Sequence, residues 1–323
     1  MSPLYQWVPY KLLPEPEQVL CRWLHVGDKP FSEPFFDDTI IRCRSNTGLR
    51  PHVASNISML EEWAAALPAV EPSAFIFHIS RCGSTLVSQL LGMNPRHIVL
   101  SEVPFIDELL RAPFKEQGFP PFDQLPVLQA ALRLYGQKRS GDEERLFIKT
   151  DSWHVFFYKT IRALYPDVPF VLLYREPREV MHSHRKKRGM QAVPGVIEPA
   201  VFGFEKLAVT DLDAYMAVVI EKYLSTFLEI ITNDSNALLV NYNEGMLQVM
   251  EKIASFTDLA LTEEEHVQMR ERCGYHAKYP DQVFAEAAAP EEVPGYLEKS
   301  MALYKQVEAV RLQVNTRLTP HNV

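Results

Sequence analysis

The sequence lacks the features of several classes of protein. It contains no run approaching about eighteen uncharged apolar residues, so no membrane-spanning helix is predicted. Its first residues have neither the basic nor the apolar part of a signal peptide. The four cysteines show no paired spacing, which predicts free thiols in a reducing compartment. We therefore expect a cytoplasmic protein without membrane insertion.

Positive charge is also scarce. The chain has 33 Lys and Arg against 41 Asp and Glu, a formal net charge of −8 at pH 7, which argues against a nucleic-acid partner. No internal repeat or low-complexity tract is present. The 323 residues, 47% of them hydrophobic, are enough for a large core. We expect an N-terminal extension over residues 1–70, packed on an α/β domain over residues 71–323 that ends in helices and that could form a homodimer.

One stretch, residues 74–91, is particularly informative because an apolar run stops at a small polar turn and resumes with helical periodicity. This pattern predicts a buried strand over 74–79, a turn over 80–83 and a helix over 84–93. Such a strand, turn and helix form the layout of an anion-binding loop.

The residues of this turn suit a phosphate. Backbone N–H groups left unpaired at Ser84, Thr85 and Leu86 would face the space before the helix, where the helix dipole is positive. Gly83 would permit close backbone approach, and Arg81 would add a fixed charge with forked donors. A P-loop-like phosphate-binding turn is therefore predicted. An ordinary strand, turn and helix cap without a ligand is the alternative.

The turn differs from a Walker A loop, GxxxxGK[ST], at two positions. His78 stands where the first glycine is required, and Ser84 stands where the lysine is required. Without these residues, the loop is not expected to wrap a triphosphate or to bridge its β and γ phosphates. It suits a single terminal phosphate better.

A second pair of segments adds positive charge at the same predicted edge. Residues 145–150 and 168–174 are short apolar runs typical of buried parallel strands, and helical patterns follow them. Lys149 and Arg175 end these runs, which places both at the carboxyl edge of the sheet. Ser183 lies about two helical turns beyond Arg175, so the two side chains can share one ligand group. The predicted fold is a three-layer α/β/α arrangement with a central, mainly parallel sheet and helical additions.

Together the two segments resemble sulfotransferases that use 3′-phosphoadenosine 5′-phosphosulfate (PAPS), in a bacterial-type form. Residues 81–85 are similar to that family's first motif, [KR]SGT[TS], with Cys82 where serine is usual. Residues 175–183 are similar to its second motif, RxPRDxxxS, with Glu179 in place of aspartate. The similarity extends over roughly residues 75–278, although only these two motifs are specific.

The resemblance implies that each motif holds a different phosphate of the nucleotide. Arg175 and Ser183 would hold the 3′-phosphate of the nucleotide. The first loop would hold its 5′-phosphate through Arg81, Cys82, Gly83, Ser84 and Thr85.

Catalytic residues also follow from the resemblance. Glu102, at the end of another predicted strand, corresponds to the general base of members that act on sugars and tyrosines. Members that act on small molecules instead use the histidine of a Lys-Thr-His segment, and this chain has Lys-Thr-Asp at residues 149–151. We therefore assign the base to Glu102, with Asp151 in reserve. Lys149, helped by Arg81, would stabilise the charge on the leaving oxygen.

Three neighbouring features are interpreted more simply. Cys82, beside an arginine at a helix start, is expected to have a lowered thiol pKa but no nucleophilic role. His182 and His184 point in different directions on a helix, so no metal is expected. The basic run over residues 185–188 is expected to contact the nucleotide or an anionic acceptor.

The predicted function is transfer of a sulfuryl group from PAPS to a hydroxyl or amine of a small-molecule or carbohydrate acceptor, leaving 3′,5′-bisphosphoadenosine. Two alternatives remain open. One is an ATP-dependent small-molecule kinase with a degenerate phosphate loop, and the other is a nucleotide-binding protein without catalysis. The sequence does not identify the acceptor.

Overall fold

A computed structural model describes residues 4–46, 53–115, 118–205, 211–275, 277–278, 281–283, 289 and 291–318. The strands in this part of the chain form two sheets. In chain order they are β1 Trp7–Pro14, β2 Val19–His25, β3 Val53–Asn56, β4 Pro72–His78, β5 His97–Ser101, β6 Arg145–Lys149, β7 Phe170–Tyr174 and β8 Ala237–Asn241.

Helices cover the sheets and fill the connections between strands. They are α1 Phe36–Asn46, α2 Met59–Ala65, α3 Ser84–Leu91, α4 Pro104–Arg111, α5 Gln124–Tyr135, α6 Tyr158–Leu164, α7 Pro177–Lys186, α8 Leu212–Asn233, α9 Met246–Phe256, α10 Glu263–Cys273 and α11 Glu298–Leu318. None of the helices among the described residues has both the length and the apolar character needed to cross a bilayer.

The central sheet has five strands in the order β5-β6-β4-β7-β8, and every neighbouring pair is parallel. Its strands are short and apolar because helices cover both faces and leave little of the sheet exposed. The next strands in the chain after β4, β5 and β6, lie on one side of β4 within the sheet, whereas β7 and β8 lie on its other side. This reversal opens a crevice at the carboxyl ends of the strands. The predicted α/β fold with a parallel central sheet is confirmed.

Residues before β4 form a separate antiparallel sheet, β1-β2-β3. This sheet packs on α4 and α5. The Tyr135 hydroxyl donates to the Pro9 carbonyl, and the Leu12 N–H donates to Glu108 Oε2 at 2.5 Å. These contacts anchor the N-terminal region against the helices beside β5 and β6, and they bring Phe35 to the crevice. The domain boundary at residue 70 stays a prediction.

Of two later helices, one agrees with the periodicity of the sequence and one does not. Apolar residues at helical spacing over residues 211–231 predict a long amphipathic helix, and their stripe is the buried face of α8, against which α11 packs. The pattern predicts a last helix from Glu291, but α11 begins at Glu298. Pro294 precedes a short 3₁₀ turn at Gly295–Leu297, and a proline inside a helix would remove a backbone hydrogen bond.

Candidate active site

The candidate site is a cavity of about 480 Å³ at the carboxyl ends of the parallel strands. Most of the predicted site residues line it. They are Arg81, residues 83–85, Glu102, Arg175 and Ser183. Two predicted residues, Cys82 and Lys149, lie behind its wall. The topology therefore brings the two predicted phosphate-binding segments to a single cavity.

The loop between β4 and α3 has an unusual backbone. Ser80, Arg81 and Gly83 all have positive φ, at 68°, 52° and 83°. Non-glycine residues rarely adopt such angles, and where they do the strain is often associated with function. A Cβ built on Gly83 would lie 2.5 Å from Cδ2 of Tyr242, so this position leaves no room for a side chain. The loop is thus a tight cradle of backbone in front of the α3 N-terminus.

One of the three N–H groups predicted to be unpaired is already used. The Leu86 N–H donates to the Gly83 carbonyl at 2.9 Å, because the first turn of α3 closes with a short-range hydrogen bond. The prediction for Leu86 was therefore wrong. Ser84 and Thr85 line the cavity, as expected for residues at the start of α3.

The expected lowering of the Cys82 thiol pKa was also wrong. Its side chain is completely buried and its thiol donates to the Leu173 carbonyl at 3.4 Å, so it faces the core and not the cavity. Burial raises the pKa of this thiol to about 12, which outweighs the nearby positive charges. The loop conformation turns the side chain inward, and residue spacing alone does not reveal this.

Arg81 is oriented by the segment that follows α7. Its guanidinium donates to the backbone carbonyl of Lys187, and Lys187 and Arg188 line the same cavity. Arg185 instead points away and pairs with Asp213, 2.7 Å from its Nε. The basic run thus contributes two of its members to the cavity wall.

Arg175 is held from two sides. Its Nε donates to Glu179 at 3.1 Å, and its guanidinium carbon lies 4.4 Å from the centre of the Tyr242 ring. Glu179 is itself fixed by the Asn243 amide at 2.8 Å. Ser183 lies two turns along α7 and lines the same cavity. The sequence-based expectation that Arg175 and Ser183 can reach one ligand group agrees with this placement.

Glu102 is one of the carboxyl groups that line the cavity. It has a positive φ of 55°, which is a third strained non-glycine position beside this site. Its Oε1 lies 2.5 Å from Lys149 Nζ and 3.5 Å from His78 Nε2. Burial disfavours the charged carboxylate, but Lys149 and His78 outweigh it and lower the pKa of Glu102 to about 2. The carboxylate is therefore ionised at neutral pH.

Lys149 lies behind Glu102 in the cavity wall. Its side chain is 0% exposed, and its ammonium is 5.1 Å from the centre of the Phe35 ring. The sequence correctly predicts Lys149 at the end of a strand, but it does not identify Glu102 as the partner of Lys149. In this structure the ammonium is engaged by Glu102.

A second carboxyl, Asp151, reaches the cavity from the end of β6. It caps the 3₁₀ turn that follows, where its side chain accepts the His154 backbone N–H. His154 links it to Asp107, with Nε2 3.0 Å from Asp107 Oδ1 and 3.6 Å from Asp151 Oδ2. These three residues have ligand atoms within 4.8 Å of one another, which is close enough for a metal. However, Trp153 and Arg111 already contact both oxygens of Asp107, at 2.6 and 2.7 Å, so the group is built as a hydrogen-bond network.

Sequence reasoning missed several residues of the cavity wall. Phe35 comes from the N-terminal region and Gln191 from the loop after α7, and neither belongs to a motif. Lys278 lies outside both motifs, yet it lines the cavity with its ammonium 4.7 Å from the centre of the Phe35 ring. Burial, reinforced by Arg81, lowers the pKa of Lys278 to about 8. No local sequence signal identifies these residues because they reach the site only through tertiary packing.

No protein-family model matches the chain, and no curated protein matches it in sequence. Solved sulfotransferase structures do match. STF9 from Mycobacterium avium has 15% identity, covers 80% of this chain and 79% of its own, and has a TM-score of 0.45. A sulfotransferase from Alicyclobacillus acidocaldarius has 17% identity, covers 76% of this chain and 96% of its own, and has a TM-score of 0.40. Mouse SULT7A1 complexed with PAP has 10% identity, covers 81% of this chain and 90% of its own, and has a TM-score of 0.36. Likenesses this distant assign no activity, which depends on the residues of this chain's own site.

Proposed function

We propose that this chain is a transferase that moves a sulfuryl group from PAPS to a hydroxyl or amine acceptor, leaving 3′,5′-bisphosphoadenosine. One observation carries the proposal. The loop containing Arg81 and the pair Arg175 and Ser183 line one cavity, and Glu102 lines the same cavity. A molecule with two separate phosphates and a reacting centre suits such a site. A cytoplasmic location and a homodimer stay predictions.

The donor set fits this nucleotide. The strained loop places backbone before the α3 N-terminus, where an anion is favoured, and Gly83 leaves no room for a side chain there. Arg175 is fixed on an aromatic ring and by Glu179, so its forked guanidinium is already ordered for a second phosphate. PAPS, when bound, supplies an activated sulfuryl group whose leaving group is a phosphate.

Glu102 is the proposed base. The acceptor oxygen forms a bond to sulfur as the bond from sulfur to the phosphate oxygen breaks, and the acceptor proton passes to the Glu102 carboxylate. Charge develops on the phosphate oxygen that leaves, where Arg81 and Lys149 would stabilise it. A shift of the Lys149 ammonium from Glu102 towards that oxygen would also raise the pKa of Glu102, which would make it a better base at that moment.

Calorimetry with nucleotides tests the proposal directly. We expect 3′,5′-bisphosphoadenosine to bind at least about 10-fold more tightly than adenosine 5′-phosphate, since a charge-assisted contact contributes about 1.5–3 kcal/mol. Mg-ATP should bind more weakly than the bisphosphate because the loop lacks the Walker lysine. Preference for Mg-ATP would favour a kinase. Tight PAPS binding without bisphosphate release across a broad acceptor screen would favour a non-catalytic binding protein.

A further inference from the structure

The cavity wall contains two carboxyl groups in different surroundings. Glu102 follows β5, Asp151 follows the neighbouring strand β6, and both side chains line the cavity. Glu102 has a cation of its own, since Lys149 Nζ lies 2.5 Å from Oε1. Among the described residues, no Lys or Arg nitrogen lies within 4.0 Å of an Asp151 oxygen. The two carboxyls therefore differ in how their charge is balanced.

The side chains behind Asp151 are engaged with one another. The Asp151 N–H donates to Nδ1 of His154 at 3.3 Å, which leaves the ring proton on Nε2. That Nε2–H donates to Asp107 at 3.0 Å, and Asp107 is neutralised by Arg111 at 2.7 Å. Lys149 and Arg111, the two cations that act on Asp151, are thus committed to other carboxylates. A proton is the remaining way to balance Asp151, which is only 6% exposed.

We propose that Asp151 is a specificity-determining residue: as a neutral carboxylic acid it donates a hydrogen bond to a second oxygen of the acceptor while Glu102 receives the proton of the reacting hydroxyl. The acceptor is then a polyhydroxylated ring such as a pyranoside, and not a simple phenol. Ser152, Gln191 and Trp153 line the same cavity and offer further hydroxyl, amide and aromatic surface to such a ring. This inference rests on the proposed transferase function.

The electrostatic surroundings agree with this assignment. Burial raises the pKa of Asp151 well above its ordinary value, and the negative charges of Glu102 and Asp107 act in the same direction. Lys149 and Arg111 act in the opposite direction, but each is paired with another carboxylate, Lys149 with Glu102 and Arg111 with Asp107. Several charged or titratable groups act on Asp151 or contact it: Glu102 after β5, Asp107 and Arg111 on α4, Lys149 on β6, His154 in the following turn, and Tyr223 on α8.

Two variants separate a neutral donor from an ionised base. D151N keeps a donor toward the cavity and an oxygen for the His154 N–H, whereas D151A keeps neither. With PAPS and a panel of methyl pyranosides and phenols, we expect bisphosphate release from a pyranoside. D151N should stay within about fivefold of the wild-type rate and D151A should fall about 10-fold or more, since an unpaired polar group costs about that much. The matched control is D123N, which makes the same change at the N-cap of α5.

Several results would overturn the inference. A loss of turnover in D151N equal to that in D151A would identify an ionised Asp151. Bisphosphate release with phenols alone, or with no member of the panel, would contradict the proposed acceptor class. Infrared spectroscopy gives a reading without turnover: the carbonyl band of a protonated carboxyl should be present in the wild type at neutral pH and lost in D151N. Its absence from the wild type overturns the inference. Calorimetry with 3′,5′-bisphosphoadenosine separates the two proposals, because failure of the wild type to bind would refute the proposed function itself.

Discussion

Arg175 offers the sharpest test of how the cavity binds its nucleotide. The guanidinium is already ordered by the Tyr242 ring at 4.4 Å and by Glu179 at 3.1 Å, so little entropy is lost when it meets a phosphate. A charge-assisted hydrogen bond is worth about 1.5–3 kcal/mol, and R175A should therefore weaken 3′,5′-bisphosphoadenosine binding about 10- to 150-fold. The affinity for adenosine 5′-phosphate, which lacks the second phosphate, should change less than about threefold, within the scatter of uninvolved contacts.

Calorimetry with both ligands and both proteins forms a complete cycle. R175K keeps a positive charge but loses the fork, so its affinity for the bisphosphate should lie between those of wild type and R175A. Loss of the aromatic contact should lower the free energy of unfolding by about 0.5–2 kcal/mol, which thermal melting would detect. The control is R133A, which removes an arginine that is paired with Glu71 and does not line the cavity. Equal losses for the two ligands, or no loss for either, would refute the assignment of Arg175 to the 3′-phosphate.

Four further outcomes are expected. E102Q should bind 3′,5′-bisphosphoadenosine normally while turnover falls about 100-fold or more, and unchanged turnover would place the base elsewhere. G83A should abolish nucleotide binding in calorimetry because its methyl group collides with the Tyr242 ring. G203A, at φ +69° where an added Cβ would meet only Lys222 Nζ at 3.9 Å, should lose stability alone. Burial lowers the pKa of Lys278 to about 8, so its positive charge is lost as the pH rises through that value. The affinity for 3′,5′-bisphosphoadenosine should therefore fall between about pH 7 and 9. Titrations of K278M at several pH values should show a flatter dependence. Cys82 should resist iodoacetamide in the native protein and react after denaturation, and modification of the native protein, seen by mass spectrometry, would contradict its burial.

Local sequence patterns were enough for strands of the central sheet and for the residues at their ends, but not for the antiparallel sheet that precedes it. Short apolar runs place Arg175 and Glu102 at carboxyl strand ends, and a parallel sheet has only one such edge. The same reasoning failed for Cys82, because the direction of its side chain depends on the strained backbone of Ser80, Arg81 and Gly83 around it and on the core beneath the turn. It also failed for the start of α11, where the periodic pattern extended across Pro294.

The sequence by itself therefore determined the parallel α/β fold and the chemical types available at one edge of its sheet, because periodicity and strand ends are local properties. Tertiary structure alone decided which cation neutralises which carboxylate. Lys149 pairs with Glu102 and Arg111 with Glu198, and these residues lie 47 and 87 positions apart in the chain. Among the described residues no Lys or Arg pairs with Asp151, although Asp151 is only two residues from Lys149. Charge pairing depends on distance in space and on burial, and a linear sequence records neither.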